Sequence, residues 1–227
     1  MRAVIIQPHF LPFIGYFDLM NRADVFVYYD TAQFVRRSWH CRTYISEQGG
    51  AHWLSAPVRT AEGSRRPLRE MKWAEDQPWR IKMQRRLSKL YVNTEESHVL
   101  AAIIDLVKNG PETLVDWNIA ANKLIAEVLD IETSTLKASE LGTVVGDKQF
   151  RIIQLCRQLG ATTYVCGPGS RSYINAQDFS ESGIAVQWVD YNYDFRNTTA
   201  DGVQVFPSIL DLMLRKTVNA AKDEIGF

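Results

Sequence analysis

Apolar residues fall into short unbroken runs near both ends of the chain and into helically spaced positions through its middle. The runs Val4, Ile5, Ile6 and Asp24-Val-Phe-Val-Tyr-Tyr29 are too short and continuous for amphipathic helices. They predict buried strands, with a short helix over 15–21 between them. Residues 42–45 and 52–56 read as two more strands turning at Gly49-Gly50. A polar stretch over 60–67, with Gly63 and Pro67, reads as a mobile loop able to order over a ligand. From 77 to about 130 the spacing becomes helical: Pro78 fits a first turn, and Ile81, Leu87, Leu90 and Tyr91 follow at helical spacing. A second helix opens at 94–98 and ends at Asn109-Gly110. Pro111-Glu112 opens a third, with Leu114, Trp117, Ile119, Leu124, Ile125 and Leu129 as core positions.

The last third alternates again: a helix over 147–159 ended by Gly160, a strand over 162–166, the turn Gly167-Pro-Gly-Ser170, a helix near 175–181, a strand over 185–190 and a terminal helix over 208–215. Strand, helix and strand at these lengths make βαβ units. They predict an α/β fold, a mostly parallel Rossmann-like sheet with flanking helices and a helical layer or lobe inserted in the middle. The expected organisation is a single domain over 1–227 with a helical sub-region at about 77–131.

With 46% hydrophobic and 23% charged residues, a chain of 227 residues buries one large core or two modest ones, which excludes a disordered or fibrous protein. No segment approaches the roughly 18 apolar residues of a membrane span, and the opening apolar run is short for a signal peptide, so a cytoplasmic location is expected. Cys41, Cys156 and Cys166 are odd in number and scattered, supporting neither a disulfide framework nor a zinc knuckle. His9, His40 and His52 match no zinc spacing, so no metal is assigned and the cofactor stays unknown. Net charge is zero, yet residues 35–89 carry thirteen Lys or Arg against five Asp or Glu, an excess of eight. The basic residues of 80–89 fit a solvated helix face, and the chain has no nucleic-acid-binding motif, so nucleic acid is not an expected partner. An anionic small molecule is, and self-association stays open.

Three segments carry candidate chemistry. In the first, a buried strand runs through Gln7 and His9 into the helix begun by Gly15 and Tyr16, whose first N–H groups favour an anion; His9 is then placed to transfer a proton. In the second, Asp30-Thr-Ala-Gln-Phe-Val-Arg-Arg-Ser-Trp-His-Cys-Arg42 follows the next strand with a carboxylate, an amide, guanidiniums, an imidazole and an indole. Planar guanidiniums suit carboxylate or phosphate, so Gln33, Arg36, Ser38 and Arg42 are substrate candidates, while Trp39 is either a stacking wall or a core anchor. The third is the Gly167 to Ser170 turn with Tyr173, where glycine admits close approach of a ligand. Cys166 before it reads as packing rather than a nucleophile. Because all three segments follow strands of one sheet, Gln7, Gln33 and Gly167 are expected to face one cleft.

These segments resemble the WbqC-like family. The similar motifs are Ile6-Gln-Pro-x-x-x-Pro-x-x-Gly-Tyr16, Asp30-x-x-Gln-Phe-x-x-Arg-Ser-Trp39 followed by Arg42, Leu159-Gly-Ala-Thr-Thr-Tyr leading to Gly167-Pro and Tyr173, and Phe206-Pro-Ser-Ile-Leu-Asp211. The resemblance spans essentially the whole chain. It implies a bacterial protein of the kind met in O-antigen and other surface-polysaccharide gene sets and in specialised-metabolite pathways. Cys41 stands where such proteins commonly have Asn, and Tyr44 where they commonly have a basic residue. More distantly, Pro12 to Tyr16 is similar to the histidine signature of nucleotidylyltransferases, with Tyr16 at the second histidine position.

The leading expectation is an enzyme of transferase or ligase-like activity that modifies a sugar or small metabolite by group transfer or condensation. In it Arg36 and Arg42 hold an anionic substrate, His9 is the general acid or base, Asp30 completes the catalytic set, and Gln7, Gly15, Tyr16, Gln33, Ser38, Trp39, Gly167, Ser170 and Tyr173 line the substrate. The alternative is a noncatalytic sugar-nucleotide-binding or scaffold protein.

Overall fold

The computed structural model describes residues 1–60 and 66–226; residues 61–65, within the expected ligand-covering loop, lie outside the described residues. In chain order the elements are β1 (Arg2–Ile6), α1 (Ile14–Arg22), β2 (Val25–Tyr28), β3 (Arg42–Glu47), β4 (Gly50–Ser55), β5 (Val58–Arg59), β6 (Lys72–Trp73), α2 (Trp79–Leu90), α3 (Ser97–Asn109) and α4 (Leu114–Val128). Then follow β7 (Ser134–Lys137), α5 (Lys148–Leu159), β8 (Thr163–Cys166), α6 (Ala176–Glu181), β9 (Ala185–Trp188), β10 (Asn197–Thr198), β11 (Gln204–Val205), α7 (Ile209–Arg215) and α8 (Val218–Ile225). The elements gather into two compact units interleaved along the chain: Met1–Gln7, Gly15–Thr31 and Ile131–Asn192 form one, and Pro8–Ile14, Ala32–Asp130 and Tyr193–Phe227 the other.

The first unit is an α/β layer structure. Its five strands are all parallel, in the order β7-β2-β1-β8-β9. All four residues of β2 are buried, as a central parallel strand covered by helices requires. Ile6, Tyr28 and Lys137 sit side by side at the carboxyl ends of β1, β2 and β7. Helix α1 covers the sheet through Tyr16, edge-on to Phe26, and α6 through Phe179, stacked on Tyr164. Asp147 caps α5 by accepting from the Phe150 N–H, and Gly160 ends it in the left-handed conformation, φ 69°, that glycine adopts without steric cost.

Sequence reading had no strand at β7. It pairs along one side only, with β2, and is half-exposed, so it lacks the continuous apolar run that marks its neighbours. The terminal helix expected over 208–215 is also not the last: α7 fills that span and α8 follows.

In the second unit an aromatic cluster makes the core. Phe10 stacks on Trp117 at 5.1 Å and meets Trp73 edge-on, while Trp73 and Trp117 cross at 88°. Phe10 is fully buried, so the connection after β1 is anchored by a large apolar side chain. Helices α2, α3 and α4 carry the cluster's remaining walls, and β3 and β4 form a hairpin with Tyr44 opposite Trp53. Asp211, fully buried on α7, accepts from the Ser46 N–H at 2.5 Å, the Tyr91 hydroxyl at 2.8 Å and Arg215 Nε at 2.9 Å. It ties α7 to the hairpin and to the end of α2.

Candidate functional site

Strand order sets the geometry of the first unit. From β1 the chain moves outward through β2 to β7, then returns to add β8 and β9 on the opposite side of β1. The order reverses between β1 and β8, and in open parallel sheets the carboxyl ends of the strands at such a reversal are the usual ligand position. Gln7 directly follows β1 there, and the turn beginning at Gly167 follows β8. Gly15 and Tyr16 supply first-turn N–H groups of α1, and the Tyr16 hydroxyl donates to the Gln7 carbonyl at 3.2 Å, fixing the strand end to the helix. Ser170 Oγ and Tyr173 Oη lie 2.9 Å apart. Tyr28 Oη, at the end of β2, is buried with no hydrogen-bond partner.

Two residues at this edge are occupied by the fold. Asp30 is buried, and its carboxylate oxygens accept from the Ser139 N–H at 2.9 Å and the Ser139 hydroxyl at 2.6 Å, binding the segment after β7 to the end of β2. Gly167 has an extended backbone, and the place a Cβ would take is filled by the Tyr191 hydroxyl, 1.9 Å away. The protein's own phenol makes the close approach at this glycine.

The second unit holds His9, Gln33, Arg36, Ser38, Trp39 and Arg42. The loops before α1 and before β3 meet here: the Phe10 N–H donates to the Trp39 carbonyl at 2.8 Å, and the Asn118 side-chain amide donates to the Pro8 and His40 carbonyls at 3.0 and 2.9 Å. Both loops carry a non-glycine residue with positive φ, Leu11 at 42° and Arg37 at 52°. Such backbone is strained and needs neighbours to hold it. Arg36 donates to Thr60 Oγ1 at 2.8 Å, and Gln33 bridges to Pro67 through the backbone. Arg42 Cζ lies over the Trp53 ring, 3.7 Å from its centroid, with Nε buried and without a hydrogen-bond partner. Trp39, 44% exposed, leans on Tyr44 and Trp53, so it belongs to a surface aromatic wall and not to the core.

His9 and His40 face each other, with ring centroids 6.2 Å apart. Burial, then the neighbouring His40, lowers His9 to about 3; burial lowers His40 to about 4. Both rings are therefore neutral at neutral pH. The Ser38 hydroxyl spends its one proton on the Val35 carbonyl, 2.7 Å away, so toward His40 Nδ1 at 2.8 Å it can only accept. His40 thus carries its proton on Nδ1 and presents Nε2 as an acceptor.

Other groups contribute less chemistry. Cys166 and Cys156 are buried thiols pushed up to about 12, which rules out a resting thiolate. On α2, Arg80 and Arg86 are paired with Glu75 and Glu47. Among the described residues no group of three or more His, Cys, Asp or Glu could hold a metal ion, and no helix is long and apolar enough to cross a membrane.

Sequence reasoning missed Asn118 and Lys148. Asn118 and Asn122 interrupt the apolar face of α4 at i and i+4, a signal visible in the sequence but hidden among core positions. Lys148 occupies the first position of a helix, the end where a cation is disfavoured.

The model of the WbqC-like protein family matches residues 7–223. The chain is also 30% identical over 224 residues to the uncharacterized protein Rv1507c of Mycobacterium tuberculosis, covering 93% of this chain and 92% of that one. No solved structure matches. With a family model matching nearly its whole length and a full-length relative beside it, the chain belongs to the WbqC-like family.

Proposed function

We propose that the protein is an enzyme that modifies a sugar or small metabolite by group transfer or condensation, in surface-polysaccharide or specialised-metabolite biosynthesis, with an anionic substrate taken up at the carboxyl edge of the parallel sheet. The observation that carries this reading is the reversal of strand order between β1 and β8, with Gln7 at one strand end and the Gly167 turn at the other. In this reading Gly15, Tyr16, Ser170 and Tyr173 line the substrate at that edge. Asp30 keeps the edge in shape through Ser139. In the second unit, taken by itself, Arg36 and Arg42 are cations suited to an anionic group, and the half-exposed Trp39 offers a flat face.

Within the second unit, the proposal gives proton handling to His9. Lowered to about 3 by burial and by His40, it is a neutral donor or a weak base at neutral pH, and not a resting acid. Neutral imidazole can still donate one hydrogen bond to a developing negative charge.

The test is a thermal-shift screen of nucleotide sugars, followed by product detection by mass spectrometry with every hit and a panel of amine and hydroxyl acceptors. Turnover that disappears in His9→Gln supports the proposal. Saturable binding with no product under any donor and acceptor pair replaces it with a noncatalytic binding protein.

A further inference from the structure

The carboxyl edge of the first unit holds two cations that no carboxylate neutralises among the described residues. Lys148 begins α5 and places its ammonium 3.3 Å from the centroid of the Tyr173 ring. Arg151, one turn later, donates to the Gly146 carbonyl at 2.7 Å, and its charge holds the nearby Tyr29 phenol lower than burial alone would. Tyr173 lies near Tyr29 and is hydrogen-bonded to Ser170. Lys148 and Arg151 thus lie one turn apart on α5, with Tyr173 of the segment after β8 against the first and Tyr29, after β2, near the second.

For stability alone this arrangement is unfavourable. The first turn of a helix carries partial positive charge, which disfavours a lysine there, and the N-cap carboxylate of Asp147, spent on the Phe150 N–H, offsets only part of it. Partial burial also lowers the Lys148 pKa, a sign that its ammonium has lost hydration. Both costs are relieved when an anion arrives. Two cations flanked by hydroxyl donors match the charge and the several acceptor oxygens of a phosphate better than a singly charged carboxylate.

We propose that Lys148 and Arg151, with the hydroxyls of Ser170 and Tyr173, seat a phosphate group of the substrate. The proposal rests on the reading that an anionic small molecule is handled at this edge, and it names the charged group and the residues that receive it.

Isothermal titration of the full chain with inorganic phosphate, glucose 1-phosphate and UDP tests it. Lys148→Met should weaken every phosphate-bearing probe by tenfold or more, while its melting temperature stays level or rises. Arg157→Met, which removes a charge from the exposed far end of the same helix, should change affinity less than twofold. Equal weakening of all three probes identifies the phosphate group itself as the ligand; weakening confined to UDP identifies a nucleoside diphosphate. The seat is overturned if wild type binds none of the probes, if Lys148→Met binds as wild type, or if the two variants lose affinity equally. Its fate is separable from that of the transfer reading: a probe bound through Lys148 without turnover keeps the seat and removes the transferase, and turnover undiminished in Lys148→Met does the reverse.

Discussion

Gly167→Ala decides whether the glycine of the third segment serves the fold or a ligand. The added Cβ would lie 1.9 Å from Tyr191 Oη and 2.6 Å from Cζ. Ordinary carbon contacts begin at about 3.5 Å, so the phenol must retreat by about 1.5 Å. It cannot do so freely: burial, and then Asp18, hold the Tyr191 phenol above its usual range, which places the ring in a packed setting near a carboxylate. Overpacking of this kind costs about 1–3 kcal/mol. At about 2–4 °C per kcal/mol for a chain of this size, the melting temperature should fall by about 2–12 °C. Tyr191→Ala removes the obstructing ring, so in that background Gly167→Ala should cost less than about 0.5 kcal/mol, and urea denaturation of the four proteins gives the coupling directly. Additive losses would refute the explanation by Tyr191. If the double variant is as stable as Tyr191→Ala alone but no longer binds phosphate-bearing probes that Tyr191→Ala still binds, the glycine also admits a ligand.

Asp211→Ala should destabilise by about 3–5 kcal/mol, because it strands the buried Tyr91 hydroxyl and the Ser46 N–H and leaves Arg215 unpaired; a loss below about 1 kcal/mol by urea denaturation would refute that. Acid should destabilise the fold through His9 and His40: in the unfolded chain both protonate near 6.5, in the native state only near 3 and 4, so the unfolded state binds more protons across that window. Each ring then removes about 1.4 kcal/mol per pH unit as pH falls below 6.5, and an equally steep acid limb in His9→Gln/His40→Gln would count against this origin. Arg42→Lys keeps a cation over Trp53 but loses the planar fork, so substrate affinity should drop by about 1–3 kcal/mol with little change in melting temperature. An early-melting variant with normal affinity would make Arg42 a packing residue.

The strands β1, β2 and β8 were legible because both faces of a central parallel strand are buried and the sequence must be continuously apolar. Strand β7 was not, since an edge position tolerates Ser134, Thr135 and Lys137 without an apolar signature. Helices α2 to α4 showed their 3.6-residue period, and Asp147 and Ser208 marked helix starts, as their caps bear out, while the helix expected to open at Pro111-Glu112 starts at Leu114 behind the cap Thr113. What sequence could not show were contacts between distant positions. Gly167 is a glycine because of a tyrosine 24 residues later, Asp30 is held by Ser139, and Asn118 reaches two carbonyls about 80 and 110 residues away. Local windows give residue types at strand ends; only the folded chain says which of them the protein uses for itself.

That division of labour bears on where function resides in the second unit. Leu11 and Arg37 both hold left-handed backbone that costs an L-residue about 1–2 kcal/mol, in two loops tied together by Phe10, Trp39 and Asn118. Glycine at either position would relieve the backbone. Leu11 is fully buried, so its side chain repays the strain with packing. Arg37 is exposed and gains nothing comparable, and its neighbours Arg36, Trp39 and Arg42 likewise present guanidinium and indole groups at or near the surface. A loop selected only to connect β2 to β3 would shed these costs, whereas a loop that must hold several cations and an aromatic face in fixed directions needs a rigid backbone and a buried clamp. Asn118 is that clamp, and the strain it sustains is the physical ground for proposing substrate recognition, beyond connection, for the segment from Gln33 to Arg42.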